Sequence, residues 1–127
     1  MGWILGLLLR MATFIAAVIW SAAIAPALPV HEIQVEARKF AFEPAVIMVT
    51  AGEPVRLVIH ARDTTHGFSI KELNFHLEIP RSSEAVTAEF TAPPPGRYEI
   101  ACSEFCGRGH RHMKAVLVSV AAGPSNH

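Results

Sequence analysis

The sequence has only two cysteines among its 127 residues, and its two tryptophans, Trp3 and Trp20, both lie near the N-terminus. Basic charge is not in excess, because eleven Lys and Arg are balanced by eleven Asp and Glu. A basic face for nucleic acid is therefore not expected. The haem-attachment pattern Cys-x-x-Cys-His is absent, which excludes covalently attached haem of that type.

Charge is also nearly missing from the first thirty residues, where Arg10 is the only charged side chain. The uncharged run over residues 11–30 is long enough to span a bilayer, while Ala25-Pro26-Ala27 resembles a signal-peptide cleavage site. We expect residues 1–30 to be a transmembrane anchor, with a cleaved signal peptide as the alternative. Since no basic residue follows before Arg38, the positive-inside tendency places the next domain on the periplasmic face of a bacterial cytoplasmic membrane.

The rest of the chain has the length of one domain, which can bury one sandwich-sized core. Without Arg10, ten Lys and Arg remain against eleven Asp and Glu. No internal repeat, low-complexity tract or second domain is apparent in the sequence. We expect residues 31–121 to form the domain and residues 122–127 to be a C-terminal tail.

A two-residue period typical of β-strands begins at Glu32, and no helical stripe follows. Residues 46–50 and 55–61 flank a turn sequence at residues 51–54, which predicts a hairpin with one buried face. Further strands are expected at residues 33–38, 67–71, 74–79, 86–91, 97–102 and 115–120. Such a series of short strands predicts an all-β, antiparallel sandwich with Greek-key connections.

Both cysteines lie in the stretch CSEFCGRGHRHM, residues 102–113. A disulfide between Cys102 and Cys106 would close a very small loop and would explain neither His110 nor Met113. Zinc prefers Cys and His to a thioether, and its structural sites usually have two-residue Cys spacing. Thiolate, imidazole and a weak thioether suit copper that changes its oxidation state, so the motif favours a copper site.

A second histidine ligand is expected from another loop between strands. His66, in the stretch DTTHGF, falls between two predicted strands and is the best candidate. His60 is weaker because it lies within an alternating strand, while His76 and His112 are expected to be ordinary surface histidines. Asp63 is expected either to brace the His66 loop through backbone hydrogen bonds or to be an ordinary turn residue.

The stretch YEIACSEFCGRGHRHM, residues 98–113, together with residues 63–68, resembles the binuclear copper (CuA) domain of cytochrome c oxidase subunit II. That domain is a member of the cupredoxin fold family. Residues 42–44, 51–53 and 95–98 are similar to the family's pattern as well. Mononuclear blue-copper relatives have one cysteine in this loop, so the second one separates the two classes. The single apolar segment resembles the short, single-anchor subunit II of ba-type oxidases.

The resemblance implies two copper ions that share two bridging thiolates, with one histidine on each ion and two weak axial ligands. The implied ligands are His66, Cys102, Glu104, Cys106, His110 and Met113. Glu104 would contribute its backbone carbonyl oxygen, and in oxidases the side chain at this position faces the catalytic subunit and can bind magnesium. Gly107 and Gly109 are expected to permit the tight backbone path between the ligands.

The implied function is electron transfer rather than catalysis. The chain would be the subunit II at which electrons enter a haem–copper cytochrome c oxidase. It would accept single electrons from a periplasmic cytochrome c or small copper protein and pass them to haem in the catalytic subunit. The alternative is a free-standing periplasmic copper-binding cupredoxin that delivers copper or shuttles electrons. A metal-free, disulfide-stapled sandwich is a third possibility.

Overall fold

A computed structural model describes residues 22–124 of the chain, and strands occupy most of them from His31 onwards. Residues 22–30 have no regular secondary structure and are exposed. Within residues 22–124, no helix has the length and apolar character needed to cross a bilayer. Most of the predicted membrane segment, residues 1–21, lies outside the described residues.

Two β-sheets pack face to face. The strands of residues 22–124 are β1 (His31–Arg38), β2 (Ala41–Glu43), β3 (Val46–Thr50), β4 (Pro54–Ala61), β5 (His66–Ile70), β6 (Phe75–Ile79), β7 (Val86–Thr91), β8 (Gly96–Ala101) and β9 (Lys114–Val120). Short 3-10 turns cover Lys71–Leu73 and His110–His112. One sheet has the strand order β2-β1-β4-β7 and the other β3-β9-β8-β5-β6. The predicted all-β sandwich is confirmed.

The predicted hairpin over residues 46–61 is wrong. β3 pairs in parallel with β9, and β4 pairs in parallel with β1, so the two strands beside the Gly52 turn belong to different sheets. These pairs also make both sheets mixed rather than purely antiparallel. Alternation does identify the buried side chains of β4, such as Leu57 and Ile59, but it does not determine which strand lies alongside.

The core between the sheets is built from the inward side chains of both. The buried large side chains include Phe42, Ile47, Leu57, Ile59, Phe68, Ile70, Ile79, Ile100 and Leu117. The rings of Phe42 and Phe68 meet edge to face, with centroids 5.4 Å apart. Phe68 is completely buried and lies two residues after His66, so core packing fixes the start of β5.

The predicted ligand loops meet at one end of the sandwich. β1 and β4 run in the same direction, and the Arg62 amide donates a hydrogen bond to the carbonyl oxygen of Ala37 at 2.9 Å where both strands finish. At about 3.3 Å per residue, β1 carries the chain roughly 26 Å from His31 to this end. Residues 22–30 therefore join the domain at the end farthest from the ligand loops.

Glu53 connects strand ends at that far end. Its carboxylate accepts a hydrogen bond from the Thr50 amide at 2.8 Å and lies 2.8 Å from Nδ1 of His31. Burial raises the pKa of Glu53, but the hydrogen bonds from His31 and Thr50 and the charge of His31 outweigh this effect. The pKa of Glu53 is therefore lowered, and the folded state favours the carboxylate.

We expect Glu53→Gln to reduce the free energy of unfolding by about 1 kcal/mol at neutral pH, because a charge-assisted hydrogen bond is lost. A lowered folded pKa gives stability that is present above the unfolded pKa, near 4.5, and is lost as the pH falls through the folded value. The difference between the two proteins should therefore shrink below that pH. Denaturant unfolding at neutral pH and below pH 4.5 measures this difference, with the exposed Glu78→Gln as control. A difference that is the same at both pH values would contradict the role given to the Glu53 carboxylate.

Candidate metal centre

His66 is the first residue of β5, and its imidazole is fully buried. Its Nε2–H donates a hydrogen bond to Oδ1 of Asp63 at 2.7 Å, which leaves Nδ1 as the ring nitrogen that faces the cysteines. Nδ1 lies 3.9 Å from Sγ of Cys102. A carboxylate on the far ring nitrogen is how metal-binding histidines are commonly oriented.

Asp63 holds the loop as well as the imidazole. Its carboxylate accepts hydrogen bonds from the amides of Lys39 at 2.7 Å and Thr64 at 2.9 Å. Burial raises the pKa of Asp63, but the hydrogen bonds from Lys39, His66 and Thr64 outweigh it and keep the pKa below its usual value. The bracing role predicted for Asp63 is confirmed, and its contact with the imidazole is an addition.

The second loop runs from β8 to β9 and is closed by its own backbone. The Cys102 amide donates a hydrogen bond to the Met113 carbonyl at 3.1 Å, which holds the two ends of the loop together. His110 starts a 3-10 turn in which the Met113 amide donates back to its carbonyl at 3.2 Å. Met113 is completely buried, and Cys102 and Cys106 nearly so. The loop therefore faces its sulfur atoms inward.

The two sulfur atoms of the cysteines lie side by side. Sγ of Cys102 and Sγ of Cys106 are 3.7 Å apart, whereas the sulfurs of a disulfide are about 2.05 Å apart. Both cysteines are therefore free thiols. Nδ1 of His110 lies 3.8 Å from Sγ of Cys106, as Nδ1 of His66 does, at 3.9 Å, from Sγ of Cys102. Each thiol thus faces one imidazole nitrogen.

Two weaker donors complete the group. The carbonyl oxygen of Glu104 lies 3.1 Å from Sγ of Cys102, and Sδ of Met113 lies 3.8 Å from Sγ of Cys106. The structure therefore brings all six predicted residues together around the two sulfurs.

The chemistry of this group fits copper. Burial, followed by the hydrogen bond and charge of Cys102, raises the pKa of the Cys106 thiol to about 11, so metal binding must displace a proton. Metal–thiolate bonds are about 2.3 Å long, so sulfurs 3.7 Å apart can contact the same ion. Thiolate, imidazole and thioether together suit a copper ion that changes oxidation state.

Comparison with known proteins agrees with this architecture. The sequence profile of the family described as a cupredoxin-like domain matches residues 11–118. The chain belongs to the cupredoxin-like family. Membership of this family and the cluster of His66, Cys102 and Cys106, whose ligand atoms lie within 4.8 Å of one another, support copper as the metal.

Individual relatives of this cupredoxin include a cytochrome c oxidase subunit 2 from Thermus thermophilus, 32% identical over 88 residues. That match covers 69% of this chain and 64% of the relative, so the chain spans less than two thirds of its length. The periplasmic domain of cytochrome oxidase subunit II from Bradyrhizobium japonicum has a TM-score of 0.64, with 15% identity over 76% of this chain and 87% of that one. Auracyanin A, a "blue" copper protein from Chloroflexus aurantiacus, has a TM-score of 0.59, with 18% identity over 72% and 100%. At these identities the two structures show the fold alone.

Three other histidines of the described chain, His60, His76 and His112, have no hydrogen-bond contact with either cysteine sulfur. His60 is half-buried on the outer face of β4, opposite Leu57 and Ile59, as predicted. His112 is exposed on the 3-10 turn. His76 is also exposed, but its Nδ1 lies 2.9 Å from Oγ of Ser103 in the cysteine loop. His76 is therefore not an isolated surface histidine.

The two glycines of the loop have different roles. Gly107 has φ +136°, a conformation that residues with a side chain rarely adopt, so its predicted role is supported. Gly109 has φ −86°, which any residue can adopt, and the prediction of a special backbone path there is wrong. A Cβ on Gly109 would instead lie 2.5 Å from the ring of Phe40, which covers this part of the loop.

Gly67 packs tightly beside the site, and ligand spacing does not reveal this. A Cβ at Gly67 would lie 2.1 Å from Oγ of Ser103 and 2.7 Å from the amide nitrogen of Glu104. The backbone next to His66 therefore packs directly against the peptide between Cys102 and Cys106. The only sequence signal is that the residue after His66 has no side chain.

We expect Met113→Leu to leave the metal content unchanged but to raise the reduction potential of the copper-loaded cupredoxin. Leucine has a similar volume, so the buried site should keep its packing. If Met113 is the weak ligand that the resemblance implies, loss of its thioether would leave the metal with one donor fewer and change the potential without removing the main ligands. Redox titration of both proteins, with copper counted per chain, measures this; an unchanged potential would remove Met113 from the ligand set.

Proposed function

We propose that the six clustered residues hold a binuclear copper centre. Cys102 and Cys106 would bridge both ions through their thiolates, while His66 and His110 would each bind one ion. The carbonyl oxygen of Glu104 and Sδ of Met113 would be two weaker ligands. Copper in such a site supplies one-electron oxidation and reduction.

The observation that carries this proposal is the pairing of each sulfur with its own imidazole. The sulfurs lie 3.7 Å apart, and the sulfur–nitrogen separations of 3.9 and 3.8 Å are nearly equal. A mononuclear site needs only one thiolate, and the second would be left as a buried thiol without a partner. Two equivalent half-sites therefore support two ions better than one.

The surrounding chain keeps these donors in place while the charge of the centre changes. Asp63 orients the His66 ring, and the hydrogen bond from the Cys102 amide to the Met113 carbonyl closes the loop. The sulfurs are buried, so little water is present to reorganise. A rigid, dry ligand set supports rapid electron transfer, because few atoms move between the two oxidation states.

We infer that the chain is the subunit II at which electrons enter a haem–copper cytochrome c oxidase. The similarity to the subunit 2 of Thermus thermophilus supports this role over a free-standing copper carrier. The donor would be a periplasmic cytochrome c or small copper protein, and the acceptor would be haem in the catalytic subunit. The copper domain would lie on the periplasmic face of the cytoplasmic membrane, attached through residues 1–30.

The proposed anchor and the ligand loops would lie at opposite ends of the domain. Residues 22–30 join the domain at the end opposite the ligand loops, about 26 Å away along β1. For the ligand end to reach a membrane-embedded partner, the chain would have to turn back between the anchor and β1.

The experiment that tests the function is electron paramagnetic resonance on the copper-loaded full chain, with copper counted per chain. We expect two ions and a seven-line hyperfine pattern, because one unpaired electron is shared by two equivalent copper nuclei. One ion with a four-line pattern would mean a mononuclear site and would favour the copper-handling alternative. Rapid reduction by a periplasmic donor, followed by reduction of haem in an added catalytic subunit, would test the oxidase role.

A further inference from the structure

The peptide between Ser103 and Glu104 is contacted by residues of two strands, β5 and β6. Gly67 of β5 approaches the peptide so closely that an added Cβ would lie 2.7 Å from the Glu104 amide nitrogen. From β6, Nδ1 of His76 lies 2.9 Å from Oγ of Ser103. The Glu104 carbonyl at the end of this segment is 3.1 Å from Sγ of Cys102.

The position of His76 is itself determined by the sheet. His76 pairs with Ser69 on β5, and Ser69 pairs with Ala101, the residue before Cys102. The Ser69 hydroxyl donates a further hydrogen bond to the Ala101 carbonyl at 3.2 Å. The imidazole of His76 is thus held in register with the start of the cysteine loop, although it is 55% exposed.

We propose that His76, through Ser103, positions the Glu104 carbonyl oxygen and thereby sets the reduction potential of the copper centre. This inference rests on the proposed copper function. His76 is a positioning residue, because its nearest contacts are the Ser103 hydroxyl at 2.9 Å and the Glu104 carboxylate at 4.0 Å rather than a sulfur. His76 is not itself a copper ligand in this proposal.

The direction of the effect follows from the donor type. A carbonyl oxygen is a hard donor, and contact with it favours the more highly charged, oxidised form of the centre. Without the His76 hydrogen bond, the segment between Cys102 and Cys106 has one restraint fewer and the carbonyl contact is less well held. The oxidised form then loses stabilisation, and the reduction potential rises.

The test is redox titration of the copper-loaded full chain with His76→Ala, together with copper counts and spin-resonance spectra. We expect two copper ions to remain and the ratio of oxidised to reduced centre at a fixed potential to fall about threefold, which is roughly 30 mV at about 59 mV per tenfold. Ser103→Ala should produce the same shift, because it removes the other partner. His76→Asn should restore the wild-type potential, since its amide lies where Nδ1 did and can bond to Ser103.

The matched control is His60→Ala, a histidine on the other sheet that should leave the potential unchanged. A His76→Ala potential equal to that of wild type, with two coppers present in both, would overturn this inference and leave the proposed function intact. A shift in His76→Ala that Ser103→Ala does not reproduce would also overturn it, because the effect would not pass through Ser103. A wild-type chain that binds one copper or none would instead overturn the proposed function.

Discussion

Replacing Cys106 with serine is expected to abolish the binuclear centre and to leave at most one copper ion per chain. A serine hydroxyl at this position cannot replace the bridging thiolate, because it stays protonated and is a hard donor, whereas copper in this site needs soft sulfur. The remaining sulfur, Sγ of Cys102, lies 3.7 Å from the position of the lost sulfur, so it cannot by itself bridge the ions beside His66 and His110. Copper counting and spin resonance should show a four-line spectrum or none.

The control for Cys106→Ser is His60→Ala, which should keep both copper ions and the shared-electron spectrum. The fold of Cys106→Ser is expected to survive, since the sandwich core lies between the sheets and the cysteine loop lies at one end. Circular dichroism of the metal-free proteins checks this point. If Cys106→Ser retained two coppers with a seven-line spectrum, the assignment of Cys106 as a bridging ligand would be wrong.

Gly67→Ala is expected to be the most damaging change outside the ligands themselves. Its Cβ would lie 2.1 Å from Oγ of Ser103 and 2.7 and 2.9 Å from the amide nitrogens of Glu104 and Ser103, so backbone atoms must move. Overpacking of this kind costs about 2 kcal/mol of stability. Because the displaced peptide lies between Cys102 and Cys106, copper affinity should fall as well, although no ligand has been replaced.

Thermal or denaturant unfolding of metal-free Gly67→Ala measures the first effect, and copper titration against a competing chelator measures the second. Gly123→Ala is the matched control, since a Cβ there meets nothing within 4 Å. It should leave both quantities unchanged. A Gly67→Ala protein as stable as Gly123→Ala and with wild-type copper affinity would show that this contact does not hold the loop in place.

The donors of the site could be predicted from spacing because most of them lie in one short loop. Two thiols, an imidazole and a thioether within twelve residues define a ligand type whatever the fold around them. His66 could be predicted as their partner because it falls between strands. His76 could not be assigned a role, since its contact with Ser103 depends on the pairing of β6 with β5.

The glycines illustrate the same limit. Gly107 was identifiable because its requirement is local, a positive φ between two ligands. The requirement at Gly67 and Gly109 is for space beside a distant residue, Ser103 or Phe40, and nothing in the neighbouring sequence records it. A backbone conformation depends on one residue, whereas a close contact depends on two residues that can be far apart in the sequence.

By itself, the sequence determined every strand-forming segment of residues 22–124 except β2, the alternation of β1, β4 and β7, and the identity of the candidate ligands, because alternation and ligand chemistry are properties of neighbouring residues. Only the tertiary structure decided that β3 and β4 lie in different sheets and that both Gly67 and His76 contact Ser103, the residue before Glu104. Strand pairing is decided by contacts between segments far apart in the chain, and the packing of the whole core selects among the pairings that alternation alone allows.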